Sequence, residues 1–300
     1  MFGEFRESLL VIISTPIYAV VIGAEILFSN FHKQGTYSKK GTVENIYLMF
    51  LNMGLDILMR VVCLAILNYF FRFRFFEIEN VWLYWITLLV AQDFMFFLLH
   101  CVDHYCRFFW AVHVTHHSSQ EFNLTVGFRS SVFQPLYRFI YFIPLSFCGY
   151  DGKDVMFMYS ATQIYGILIH TKYIKTLGPL EWILSTPSHH RVHHGSNIAY
   201  LDRNMGMVFI FWDKLFGTFT KEEEEVRYGL TENIQSHNPA KVVFHEWGAI
   251  LKDLKKSKKF SDKFMYVFGP PGWSHDGSKK TAVQLRAEVK QKIERGEYKG

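Results

Sequence analysis

Three hundred residues that are 50% hydrophobic and 18% aromatic, with 30 Phe, gather their apolar side chains into long blocks, which argues against one or two water-soluble domains and for membrane spans. The formal net charge of +5 is uneven: twenty-one of the 32 Lys and Arg follow His170, so a basic, mixed-composition part is expected near anionic lipid headgroups. No recognised nucleic-acid motif accompanies that charge, so a nucleic-acid partner is not expected, and Cys63, Cys101, Cys106 and Cys148 lack any CxxC or disulfide-framework spacing.

Residues 9–28 are long enough to cross a bilayer, with Pro16 and Glu25 as irregularities, and Glu25 is expected to face the interface. The stretch lacks a basic leader and a small-residue cleavage site, so it reads as a retained span. The loop at 29–45 carries Lys33, Lys39 and Lys40 and is assigned to the cytoplasm. A second span, 47–71, holds Asp56 and Arg60 four residues apart, where they can pair on one helix face. After a charged turn at 71–80, residues 81–99 form a third span that delivers His100 to the cytoplasmic surface. Residues 110–120 read as an interfacial helix. Apolar stretches at 132–147 and 155–169 form a hairpin around the turn 149–154; each arm is about fifteen residues, which leaves open a full crossing or a re-entrant loop. Either way it leaves and returns on one side, so His170 arrives on the face that carries the other histidines. Beyond it the chain is mixed in composition, with Pro187 setting up a helix, 209–219 as a cap edge or interfacial segment, Glu222 to Glu225 as a solvated acidic run, and a loosely helical tail from Ser274.

Nine of the fourteen histidines fall in two short windows, HCVDHYCRFFWAVHVTHH (100–117) and HHRVHH (189–194). On helices, His100 with His104, and His113 with His116 and His117, put rings on one side a turn apart; His189, His190, His193 and His194 crowd adjoining faces of one turn. Imidazole suits iron, copper, zinc and nickel, and helical pairs brought together would hold two metal ions. His170 and His189 are further ligand candidates.

The order HxxxH, HxxHH, HxxHH, read as His100/His104, His113/His116/His117 and His190/His193/His194, resembles the membrane fatty acid hydroxylase and sterol desaturase superfamily. HHSSQEFN (116–123), LGPLEWILSTPSHHRVHHGSN (177–197), and FWDKLFGTF (211–219) followed by YGLT (228–231) are most similar to its alkylglycerol monooxygenase branch. The resemblance implies two Fe ions, O2, a lipid substrate and an electron donor from outside the chain, tetrahydrobiopterin in that branch. It further implies hydroxylation of the ether-bearing carbon of an alkylglycerol, giving an aldehyde and glycerol. A sterol or fatty acyl hydroxylase or desaturase is the alternative within the superfamily, and a membrane metal transporter or a bis-histidine haem protein the alternative outside it.

Polar residues embedded between ligands are expected to orient the imidazoles through their second nitrogen. Asp93, Asp103, Glu121, Asn123 and Asp202 are the candidates; Asp103, Glu121 and Asn123 are taken as catalytic-site residues, Asn123 foremost. The expected protein is an all-α polytopic membrane protein of a bacterial inner membrane or the endoplasmic reticulum, with a cytoplasmic helical cap holding a histidine-rich di-metal site. Its expected parts are N-terminal spans at 1–99, a catalytic region at 100–235 with a membrane hairpin at about 132–169, and a C-terminal segment at 236–300.

Overall fold

A computed structural model describes residues 7–295. It consists of helices α1 (Glu7–Phe31), α2 (Lys39–Phe71), α3 (Val81–Tyr105), α4 (Arg107–His117), α5 (Phe139–Phe147), α6 (Gly152–Leu168), α7 (Pro187–His193), α8 (Phe211–Phe216), α9 (Pro239–Asp253), α10 (Phe260–Phe268) and α11 (Ala282–Glu294). Among the described residues there is no β-strand, and two isolated bridges, Leu184 to Phe209 and Gly195 to Tyr228, tie loops together.

Leu9–Phe31, Lys39–Phe71 and Val81–Tyr105 are long and apolar enough to span a membrane. Their outward side chains stay uncovered by protein: Ile12, Val20, Leu27, Leu58, Val61 and Trp82 are each at least 67% exposed, the signature of surfaces made for lipid. Helix α2 runs longer than expected because Ser38 caps it, accepting from the Gly41 amide, so the linker from α1 shrinks to residues 32–38. Glu25 does not sit at an interface. It is buried, its carboxylate accepts from the Leu124 amide, from Thr171 Oγ1 at 2.5 Å and from Tyr37, and so it ties α1 to the loops beside the histidines.

The tip of the hairpin has defined partners. Its tip reaches the α2–α3 turn, where the Phe75 amide donates to Phe147 O at 2.7 Å, the Asp151 amide donates to Tyr84 Oη, and Tyr150 Oη donates to Thr87 Oγ1. The seventeen-residue α6 therefore runs from the α2–α3 turn toward His170, and the nine-residue α5 covers the part of that path nearest the turn. Leu67, Leu88, Phe96, Leu99, Phe142, Leu145, Val155 and Tyr159 form the core between them and the long spans. Inside that core Asp56 pairs with Arg60 at 2.9 Å, as the spacing predicts, and also with Arg138 at the start of α5.

At the other end α4 is not interfacial. It is largely buried and packs against α3, α9 and α10, with Arg107 held by Glu246 and Asp253. The segment from residue 236 thus braces the helix that carries three histidines. The tail is more ordered than its composition suggests: Thr281 and Gln284 form a reciprocal capping box that starts α11.

Candidate metal centre

Helix α3 carries His100 and His104 one turn apart near its end, α4 carries His113, His116 and His117, and α7 carries His190 and His193 with His194 as its C-cap. His170 follows α6 by two residues. These nine rings converge into two groups: His100, His104, His113, His117 and His193 form one, His116, His170, His190 and His194 the other. Within each group the candidate ligand atoms all lie within 4.8 Å of one another. The doublets are divided between the groups. Successive side chains on a helix diverge by about 100°, so His116 and His117 feed different groups, as do His193 and His194. The groups adjoin through the stacked rings of His117 and His194, centroids 4.4 Å apart.

Backbone carbonyls fix the tautomers. Nδ1 of His100 lies 2.8 Å from Met205 O, that of His116 2.8 Å from Arg129 O, that of His170 2.7 Å from Gly166 O, and that of His193 3.0 Å from Arg203 O. A carbonyl only accepts, so in each ring the proton is on Nδ1 and Nε2 bears an unshared pair. The Nε2 atoms crowd together: His100 to His113 and His113 to His117 at 3.1 Å, His170 to His194 at 3.2 Å and to His190 at 2.9 Å. Nε2 of His104 and of His193 are buried with no hydrogen-bond partner. Burial, reinforced by neighbouring imidazoles, holds the pKa values of His113, His117, His190, His193 and His194 well below that of a free histidine, and burial brings His116 down to about 4. Neutral rings with lone pairs converging on shared points lack only a cation between them, so this donor set fits bound metal.

The polar candidates divide. Asp202 Oδ1 lies 3.2 Å from His104 Nδ1, and Asp103 stands behind His113, 3.7 Å from its Nδ1, while Ser131 Oγ is nearer at 3.1 Å. Asp103 also accepts from Gln134 and Tyr137. Asp93 touches no histidine. Its carboxylate accepts from the amides of Val208 and Phe209 and from Trp212 Nε1, holding in place the loop whose Met205 carbonyl receives His100.

Asn123 and Glu121 contact no ring either, contrary to expectation. Asn123 donates to Thr36 O at 2.7 Å and accepts from the Thr125 amide and hydroxyl; Glu121 accepts from the Ser38 amide. Both face away from the histidines and fasten the 121–125 loop to the α1–α2 linker. His189 lies outside both groups: its Nδ1 accepts from the Thr186 amide at 3.3 Å, closing the first turn of α7. His32, His237, His245 and His275 bond elsewhere and join neither group.

Two arginines that sequence reasoning passed over organise the site. Arg129 donates to Thr115 O, Asn45, Glu44 and Ser118 while its own carbonyl receives His116. Arg191, between two ligand candidates on α7, donates to the carbonyls of Thr171, Ile174 and Lys175 and pairs with Glu222, so the acidic run is not merely solvated. Phe122 stacks between His170 and Tyr228. Its place in HHSSQEFN was the available signal, whereas nothing in a sequence marks which carbonyl a ring will meet.

A cavity of about 340 Å³ opens beside both groups. His100, His113, His116, His170 and His190 line one end, and residues of α1, α2 and α6 line the rest, so the histidines face the space between the spans.

Comparison with known proteins follows the same residues. The family profile described as fatty acid hydroxylase matches residues 85–218, which contain all nine converging histidines. Alkylglycerol monooxygenase of Xenopus tropicalis is 37% identical over 222 residues, covering 73% of this chain and 49% of that protein. The Homo sapiens enzyme of that name is 39% identical over 221 residues, covering 73% and 48%, and that of Danio rerio 32% over 269 residues, covering 87% and 59%. The chain spans about half the length of the curated relatives it matches. No solved structure matches it.

Proposed function

We propose that this chain, whose residues 85–218 match the fatty acid hydroxylase profile, is a membrane-bound non-haem di-iron monooxygenase, an O2-dependent oxidoreductase acting on a lipid C–H bond. The nine converging histidines would hold two Fe ions, one per group: His100, His104, His113, His117 and His193 for the first, His116, His170, His190 and His194 for the second. The observation that carries this reading is the pair of all-imidazole groups lining a cavity between membrane spans. Iron held there supplies O2 activation with electrons from an external donor, for which a reduced pterin such as tetrahydrobiopterin is the candidate.

The protein's own part is to position and exclude. Carbonyls behind Nδ1 keep the rings of His100, His116, His170 and His193 turned inward, Asp202 and Asp103 back His104 and His113, and the surrounding helices keep bulk water from the oxidised carbon. The substrate is proposed to be a glyceryl ether lipid, because the relatives named above are alkylglycerol monooxygenases. One oxygen atom enters the C–H bond beside the ether oxygen and the other leaves as water, using two electrons and two protons from the donor. The resulting hemiacetal breaks its C–O bond to give a fatty aldehyde and a glycerol. The histidine side is assigned to the cytoplasm, with Lys33, Lys39 and Lys40 at the same end.

The test is metal analysis of the purified protein, followed by incubation with 1-O-hexadecylglycerol, O2 and a reduced pterin, reading hexadecanal by mass spectrometry. Iron near two per chain and oxygen-dependent aldehyde support the reading. A stable hydroxylated or desaturated product of another lipid, formed without pterin, would sink the substrate and donor while leaving the O2-dependent oxidoreductase class.

A further inference from the structure

Beyond the histidines the cavity is unexpectedly polar for its depth. Going down α2 from the histidine end, Asn52, Asp56 and Arg60 line it at successive turns, about 6 Å apart along the axis; Gln134 and Arg138 enter from the segment leading into α5, and Gln163 from α6. All of α2 concerned lies inside an apolar span, where a polar group is costly unless it is paired or used.

Most of this layer is paired. Asp56 meets Arg60 and Arg138, Arg138 sits 4.4 Å above the Tyr159 ring, Asn52 Nδ2 donates to Ser131 O at 2.8 Å, and Gln134 Nε2 donates to Asp103 at 2.8 Å. Locking α2 to α5 accounts for the ion pairs. It does not account for Gln163, whose Nε2 is buried on the cavity wall without an acceptor, a placement that costs about 1–3 kcal/mol if nothing supplies one.

We propose that this polar layer is the binding site for the uncharged, hydroxyl-bearing headgroup of the lipid, with Gln163 as its principal donor. The inference rests on the lipid-oxidising reading and names the part of the substrate that reading leaves open. Headgroup oxygens accept from Gln163 Nε2, and headgroup hydroxyls donate to free lone pairs of the Asp56 carboxylate. The carbon to be oxidised then points toward the histidine end, where His170 follows Gln163 by seven residues, about two helical turns. The alkyl chain passes out along the apolar wall of Leu10, Val11 and Ile164. Selectivity comes from the polar end: a lipid without hydroxyls leaves Gln163 unpaired, a stronger penalty than any apolar pocket exacts for a missing methylene.

The experiment uses metal-loaded protein in detergent and measures the affinities of 1-O-hexadecylglycerol, hexadecyl methyl ether, which has no hydroxyl, and 1-O-hexadecylglycerol 3-phosphate. Wild type should prefer the glycerol ether over the methyl ether by about tenfold or more. Gln163→Leu and Gln163→Met, near in volume and removing a group with no Nε2 partner, should keep full metal content and cut that preference by about five- to tenfold. Equal affinities in wild type, an undiminished preference in either metal-replete variant, or a clear preference for the phosphate would overturn the proposal. Aldehyde production on the same preparations separates the two claims: headgroup preference without aldehyde fails the function alone, and aldehyde without headgroup preference fails the headgroup site alone.

Discussion

An imidazole that gives its Nδ1 proton to a carbonyl has only a lone pair left on Nε2, and four rings of this site are fixed in that state by Met205, Arg129, Gly166 and Arg203. Under the proposed metal assignment, removing any of the nine converging rings takes away a donor lone pair. Ala at His193 or His170 is expected to lower bound metal by at least one ion per chain and abolish turnover, measured by metal analysis and aldehyde yield. His189→Ala should do neither: it removes an N-terminal cap of α7, costing about 1 kcal/mol in a denaturation midpoint with metal retained. Asn123→Ala belongs with it, because Asn123 fastens a loop to Thr36; full metal with lowered stability is expected. The pH dependence follows from the same burial. His116 titrates near 4 when folded and near 6.5 when unfolded, so below about pH 6.5 the unfolded chain takes up a proton that the folded chain refuses. Metal-free protein should thus keep its full histidine-linked stability above that pH and lose it progressively toward 4, seen as a lower denaturant midpoint at about pH 5 than at about pH 7.5. Spacing made the convergence of the rings legible, since rings at i, i+3 and i+4 share a face. It could not say that adjacent histidines part company, nor that Asn123, one loop beyond His117, would turn its back on the site.

Among the elements, the α5–α6 hairpin was the least determined by sequence, because arms of about fifteen apolar residues fit either a crossing or a return within the bilayer. Its depth is set by contacts far away in sequence, Phe147 to Phe75 and Asp151 to Tyr84. Gly149 makes that meeting possible: its φ of +97° lies where side chains are strained, and a Cβ there would run into the Phe76 carbonyl. Gly149→Ala is expected to destabilise the protein by about 1–3 kcal/mol, read as a lowered unfolding temperature, without changing the metal content of the molecules that remain folded. The long spans were legible because uninterrupted hydropathy has few other uses. Helix α4 was not, since an aromatic helix rich in histidine looks alike whether lipid or α9 and α10 cover it.

For the molecule as a whole, the hairpin predicts sidedness. Cys148, exposed at its tip, should react with a membrane-impermeant thiol reagent from the side opposite to cysteines placed at Lys39 and His275 in a Cys148→Ser background. Labelling of Cys148 from the same side as position 39 would mean that the hairpin turns back within the bilayer. The hairpin also divides the ligands. Seven converging histidines belong to α3, α4 and α7, but each metal group draws on chain from both before and after the hairpin, which separates His117 from His170. Neither group can close until α5 and α6 have been threaded and the chain has come back. Under the proposed metal assignment the topology therefore sets an order for biogenesis, the hairpin in place first and metallation last.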